Sequence, residues 1–114
     1  SEIYQIKKPE LNGAVKVGYS ENIVILDVNL TSGELVDCEL KFNVKEFKIY
    51  GIKTLEGSKE SKIVSGYGSV KISNSEANRY MIFLRSLHEN PGRINAEFYK
   101  NQTNLANISI DIKF

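Results

Sequence analysis

The sequence predicts a mainly β fold, a small antiparallel sandwich or barrel of seven to nine strands with one α-helix near residues 74–89. Three observations carry this expectation. Ile and Val together number 21 against 4 Ala, a usage that suits pleated, half-buried surfaces rather than helices. Two stretches alternate strictly between apolar and polar residues, which gives each strand one buried and one wet face. Turn-forming residues recur at a spacing of roughly 8–12 residues, as in all-β domains.

The first strands are expected over 2–7, 13–19 and 22–30. Asn12-Gly13 and Ser20-Glu21-Asn22 separate them, residue types that tolerate the dihedrals of tight turns. Thr31-Ser32-Gly33 reads as the next turn. Val36, Cys38, Leu40, Phe42 and Val44 then alternate with Asp37, Glu39, Lys41 and Asn43. Strands over 46–55 and 62–72 flank a Glu56-Gly57-Ser58 turn. Over 74–89 the spacing predicts the helix: Tyr80, Phe83, Leu84 and Leu87 fall on one helical stripe. Ser73 and Glu76 have capping-box spacing, and Pro91-Gly92 would end the helix. The same residues also have strand composition, and Asn90-Pro91-Gly92-Arg93 would then be a hairpin turn into 93–100. In the last strand Ala106, Ile108, Ile110, Ile112 and Phe114 alternate with Asn107, Ser109, Asp111 and Lys113.

A chain of 114 residues and 12.9 kDa corresponds to one domain, 1–114. Leu, Ile, Val and Phe make up 35 of those residues, enough apolar side chains to place the chain outside the disordered class. Cys38 and His88 are each the one residue of their type, so neither an internal disulfide nor a Cys/His metal cluster is expected. No cofactor and no metal are expected. The longest apolar run, Tyr80 to Leu84, is far below bilayer length, and Ser1-Glu2-Ile3-Tyr4 does not resemble a signal peptide. No membrane partner is expected, and the setting is read as cytoplasmic or virion, with secretion left open. Three sequons, at Asn29, Asn101 and Asn107, fit chance matches in a chain rich in Asn, Ser and Thr.

Catalytic chemistry is sparse. Asp37 and Glu39 share a strand face, but they adjoin Lys41 and describe a solvated surface rather than a tuned carboxylate pair. Asp27, inside Val24-Ile25-Leu26-Asp27-Val28, reads as an edge-strand gatekeeper. His88 reads as a helix C-terminal cation, and Cys38 as a small core hydrophobe. Ser65-Gly66-Tyr67-Gly68-Ser69-Val70-Lys71 resembles a phosphate loop in its glycines, but a strand follows it, so a bulge or bend is favoured over a ligand surface. The protein is therefore not expected to be an enzyme.

The net charge of +1 conceals a division. Residues 1–40 carry three bases against seven acids, a net of −4; residues 41–85 carry nine against four, a net of +5; residues 86–114 balance. The leading expectation is a non-catalytic protein-interaction or assembly module, in which complementary acidic and basic surfaces or sheet edges drive self-association or strand addition to a protein partner. Capsid, tail or filament components of viruses and small regulatory proteins have this form. The alternative is a single-stranded nucleic-acid-binding protein using the basic, aromatic-interleaved region 41–85, with Lys41, Lys45, Lys48, Tyr50, Lys53, Lys62, Tyr67 and Lys71 as the candidate surface. A carbohydrate-binding β-sandwich is a third class, disfavoured by the absence of Trp.

Val36-Asp37-Cys38-Glu39-Leu40-Lys41 followed by Phe47-Lys48-Ile49-Tyr50, a polar turn and a helix over 74–89 is similar to the SpoVG family of small DNA-binding regulators. The similarity spans about half of the chain and implies a helix after the second strand. The family's Met-Pro-Ser step is missing, and no site residue is carried over.

Overall fold

The structure, a computed structural model, describes residues 2–57 and 60–114. Alternation of buried and exposed side chains runs through eight antiparallel strands: β1 (Glu2–Lys7), β2 (Asn12–Ser20), β3 (Ile23–Lys41), β4 (Phe47–Glu56), β5 (Lys62–Gly66), β6 (Ser69–Ser86), β7 (Arg93–Lys100) and β8 (Thr103–Asp111). All eight belong to one sheet. Its spine is the pairing of β3 with β6, which runs from Ile23↔Arg85 to Lys41↔Ser69.

These two strands are long enough to serve two half-sheets. In the first, the order is β1-β2-β3-β6-β4, using Ile23–Ser32 of β3. In the second it is β8-β7-β3-β6-β5, using Val36–Lys41. A straight 19-residue strand would run about 60 Å, whereas the longest dimension of the molecule is 39 Å. The spine must therefore bend. The bend falls at the register shift between Ser32 and Val36, where β3 carries more residues than β6, and where Glu76 has φ 65°. Bulges of this kind turn strands.

The shift preserves parity. Even-numbered residues face inward on both sides of it: Val24, Leu26, Val28 and Leu30, then Val36, Cys38 and Leu40 on β3, matched by Val70, Ile72, Tyr80, Ile82 and Leu84 on β6. Both half-sheets thus feed one hydrophobic cluster that also takes Ile6 from β1, Phe98 from β7 and Ile110 from β8. Each such side chain contributes roughly 1.5–3 kcal/mol by leaving water.

At the bend the core is polar. Asn74, fully buried, donates from Nδ2 to the Ser32 hydroxyl (3.0 Å) and the Glu76 carbonyl (3.1 Å). Its Oδ1 accepts from Asn78 Nδ2 (2.7 Å) and the Tyr80 hydroxyl (3.1 Å). Asn78 and the Ser75 backbone both reach Ser61, which ties the segment before β5 to the same knot. Away from the bend, one edge of each half-sheet meets the other: the Tyr4 hydroxyl of β1 touches the Asp111 backbone of β8, and the Lys113 N–H donates to the Tyr19 hydroxyl at 3.0 Å.

Several local expectations are corrected. The helix over 74–89 does not form; those residues lie mostly in β6. The helical stripe is split, with Tyr80 and Leu84 inside, Phe83 outside and Leu87 exposed. The Ser73 hydroxyl donates to Asp37 across the sheet rather than capping a helix, so pairing with β3 and β4 outweighs local capping. Asn90–Arg93 does not close a hairpin, because β7 pairs with β3 and β8. Thr31-Ser32-Gly33 lies within β3 and merges two expected strands into one. The first turn precedes Asn12-Gly13: Lys8 and Leu11 exchange backbone hydrogen bonds around Pro9-Glu10. Asp27 is not on an edge, since β3 is paired on both sides. The Ser20–Ile23 turn is as expected, with Glu21 at φ 54°. The 62–72 strand is divided by a two-residue turn at Tyr67-Gly68. Of the Glu56-Gly57-Ser58 turn, Ser58 lies outside the described residues. Among those residues, no helix is long and apolar enough to cross a membrane.

Candidate functional site

Inward positions are taken by the core, so ligand chemistry must come from the outward residues, odd-numbered on β3 and β6 and even-numbered on β2, and from the loops. On the first half-sheet the strand register brings these into rows. Gly18, Ile25, Phe83 and Gly51 line up across β2, β3, β6 and β4. One row on one side lie Ser20, Ile23, Arg85 and Lys48; on the other lie Lys16, Asp27, Met81 and Lys53. Ile23, Ile25, Met81 and Phe83 are half-buried, and the lysines and Arg85 are exposed.

The two glycines keep the middle row low. A Cβ at Gly18 would meet nothing within 4 Å, and one at Gly51 would lie 3.7 Å from the Phe83 ring. A β-bulge between Ile49 and Gly51 leaves Tyr50 unpaired, 63% exposed, and the Arg85 guanidinium sits 5.1 Å from the centre of its ring. That cation–π contact orients both groups. Asp27 is held by Arg79 through two bonds, Nε to Oδ1 at 2.9 Å and Nη2 to Oδ2 at 2.7 Å. The Arg79 hydrogen bonds keep the Asp27 carboxyl below the usual carboxylate range despite partial burial. Among the described residues Lys16, Lys48, Lys53 and Arg85 have no carboxylate within ion-pair distance. The result is an apolar and aromatic strip flanked by cations outside any ion pair, with Lys16 opposite Asp27 and its charge helping to hold that carboxyl down.

The outer face of the second half-sheet is built differently. Lys41 Nζ lies 2.9 Å from Glu97 and 3.8 Å from Glu39, and Arg93 lies 2.7 Å from Asp111. The Tyr99 hydroxyl donates to Glu97 and Ser73 to Asp37. Lys41 lowers the Glu97 carboxyl, and Glu97 in turn raises both Lys41 and Tyr99.

The eight candidate residues are therefore divided. Lys48, Tyr50 and Lys53 stand together on the first face. Lys41, Lys62 and Lys71 lie on the second half-sheet, with Lys71 opposite Glu39. Lys45 and Tyr67 are in loops. Lys16, Phe83 and Arg85, which complete the first face, are outside the eight candidates. Lys16 lies in the acidic third of the sequence, and Phe83 counted towards a helical stripe. The acidic and basic thirds are mixed in space: Asp27 pairs with Arg79 and Glu39 with Lys41.

Other reactive groups are placed plainly. Cys38 is buried, and burial followed by the Glu39 charge pushes its thiol well up. His88, read as a helix cap, has no helix to cap; its carbonyl accepts from the Ser86 hydroxyl at 2.5 Å. It borders an open depression of about 410 Å³ with Glu21, Leu87 and Phe114. Among the described residues no group of three or more His, Cys, Asp or Glu side chains is placed to hold a metal ion. No protein-family model matches this sequence, and no curated protein matches it.

Proposed function

We propose that the protein is a non-catalytic binding module that takes single-stranded nucleic acid on the outer face of the first half-sheet. One observation carries the reading: Lys16, Lys48, Lys53 and Arg85 ring a strip of half-buried Phe83 and exposed Tyr50, and among the described residues none of the four is within ion-pair distance of a carboxylate, Lys16 alone lying opposite one, Asp27. The cations suit phosphates, and the rings offer flat surfaces to bases. Bases must be unstacked to use those rings, which favours a single strand over a duplex.

Fluorescence anisotropy with labelled oligo-dT and oligo-U tests this. Affinity should fall with salt by roughly 0.7 log units per log unit of salt for each phosphate contact, a slope near −3 for four cations. Flat titrations at about 50 mM salt, where phosphate contacts are strong, reject the proposal.

A second reading, protein association, is favoured by a different observation. β4 and β5 each pair on one side only, with β6, and β5 exposes Val64 at 60%. A partner strand could add there. Light scattering on a size-exclusion column tests self-association, and a monomer at high concentration removes that form of it.

A further inference from the structure

Two depressions meet at the edge of β4. The first, about 240 Å³, is formed by Lys48, Ile49, Tyr50 and Arg85 and belongs to the face described above. The second, about 360 Å³, lies between the start of β4 and the β5–β6 turn, where Phe42, Phe47, Tyr67 and Leu87 line it. Lys48 and Ile49 border both. We infer that a nucleic-acid strand bound on the first face crosses the β4 edge at Lys48 and seats a further base in this groove against Tyr67. The inference rests on the proposed function.

The groove is built to present that ring. Tyr67 is 91% exposed at the first position of a two-residue turn. The turn is fixed by backbone: the Phe42 N–H donates to the Gly68 carbonyl at 3.0 Å. Gly68 has φ 71°, and a Cβ there would come within 3.1 Å of the Phe42 carbonyl, so a side chain is excluded on two counts. Phe42 and Phe47 pack edge to face, centroids 6.4 Å apart, which closes the floor. Tyr67 therefore stands at the rim with one face of its ring open to a planar, apolar group.

Charge selects what that group is attached to. No carboxylate lines the groove, while Lys48 sits on its border and the loop that supplies Phe42 and Val44 also carries Lys45. Of the nearest acids in sequence, Glu46 lies over Gly92, where a Cβ would be 2.7 Å from Oε1, while Glu39, 3.8 Å from Lys41, borders a separate depression on the Tyr67–Gly68 turn and not this groove. An aromatic base on a polyanionic backbone fits this combination better than an apolar side chain on a neutral peptide. A groove of this size is within the ~300–1,000 Å³ range of small-ligand sites, so one base enters without rearrangement.

The test compares short and long strands on the wild type and on Tyr67→Ala, a substitution that removes only an exposed ring. Labelled dT trimer, which the first face alone accommodates, should bind both proteins equally. Labelled dT octamer should bind Tyr67→Ala at least about five-fold more weakly than wild type, the lower limit for losing one base stack. Tyr67→Phe should bind the octamer as tightly as wild type, since stacking needs the ring and not the hydroxyl. Equal octamer affinity for wild type and Tyr67→Ala overturns the groove as a base site and leaves the first face standing. Absence of binding by either oligomer to wild type at low salt overturns the face itself, and the groove with it. Loss of trimer binding in Tyr67→Ala also overturns the inference, because it puts Tyr67 within the first site rather than beyond it.

Discussion

On the second half-sheet Lys41 meets Glu97 and Glu39, Arg93 meets Asp111, and Tyr99 and Ser73 donate to carboxylates. On the first, Lys16, Lys48, Lys53 and Arg85 form no ion pair with the described acids, and the ground between them is Ile, Met, Phe and Gly with one acid, Asp27, which Arg79 holds. Both faces are made from the odd-numbered residues of β3 and β6, so the difference does not come from separate elements. It comes from the strands that flank the spine. β7 brings Glu97 and β8 brings Asp111 to one half, whereas β2 and β4 bring Lys16, Lys48 and Lys53 to the other. A surface that settles its charges within the chain has little left for a ligand, and a surface that does not retains both field and contact area.

Four experiments probe that contrast, taken from the largest expected effect down. The faces are held apart by the bend, so Asn74→Ala should be the most damaging change. It strips Asn78, Tyr80 and Ser32 of a buried partner, at a cost of about 2–4 kcal/mol. Urea denaturation measures it. A loss under about 1 kcal/mol, within the worth of a single hydrogen bond, would mean that the bulge alone sustains the bend. Next, Lys48→Ala with Lys53→Ala should weaken oligonucleotide binding about ten-fold at low salt and flatten the salt slope by roughly 0.7 per contact. Lys62→Ala with Lys71→Ala, on the compensated half, should change affinity less than about two-fold, and an equal loss from the two pairs would erase the distinction between the faces.

Asp27→Asn has a smaller and pH-limited effect. Arg79 holds the Asp27 carboxyl below its ordinary value. The stability this supplies is present above the unfolded-state pKa near 3.9 and is lost as pH falls through the lower folded value. Thermal melts of wild type and Asp27→Asn should therefore differ at pH 7 and converge as the pH falls through the lowered folded-state value; a difference that persists in acid would assign the effect to packing. Last, Cys38 reports on the second half. Its buried, raised thiol should not react with a disulfide reagent in the native state, and Asn74→Ala should speed the reaction. Rapid labelling of the wild type would show that the second half opens independently of the first.

Strand content was legible where alternation was strict. Val36–Lys41 and Ala106–Asp111 read correctly because each side chain's fate depends on its own face alone, whereas 42–44 and 112–114 lie beyond the strand ends and Phe114 is exposed. The 74–89 segment did not, because Tyr80, Phe83, Leu84 and Leu87 fit a helical stripe while the same run has strand composition, and the partners that decide, β3 and β4, are distant in sequence. Thr31–Gly33 has turn chemistry but supplies the bulge of a continuous strand. In the candidate site, Lys48, Tyr50 and Lys53 were visible as neighbours on one strand. Lys16 and Phe83 were not, since only register places them in adjoining rows. The charge division was real along the chain but not across the surface, because antiparallel pairing interleaved its parts.

The shared spine also dictates an order of assembly. β5 and the start of β6 form a local hairpin, Gly66↔Ser69, which needs a two-residue loop. Joining β3 to that hairpin begins most cheaply at Lys41↔Ser69, 28 residues apart, and must end at Ile23↔Arg85, 62 apart. Zipping along this seam reaches Ile25, Phe83 and Arg85 last, while the β2–β3 hairpin at Ser20↔Ile23 and the β4–β6 pairing at Glu56↔Arg79 close over shorter loops. The basic face is therefore assembled from two locally formed halves and is complete only when β3 and β6 have joined along their whole length.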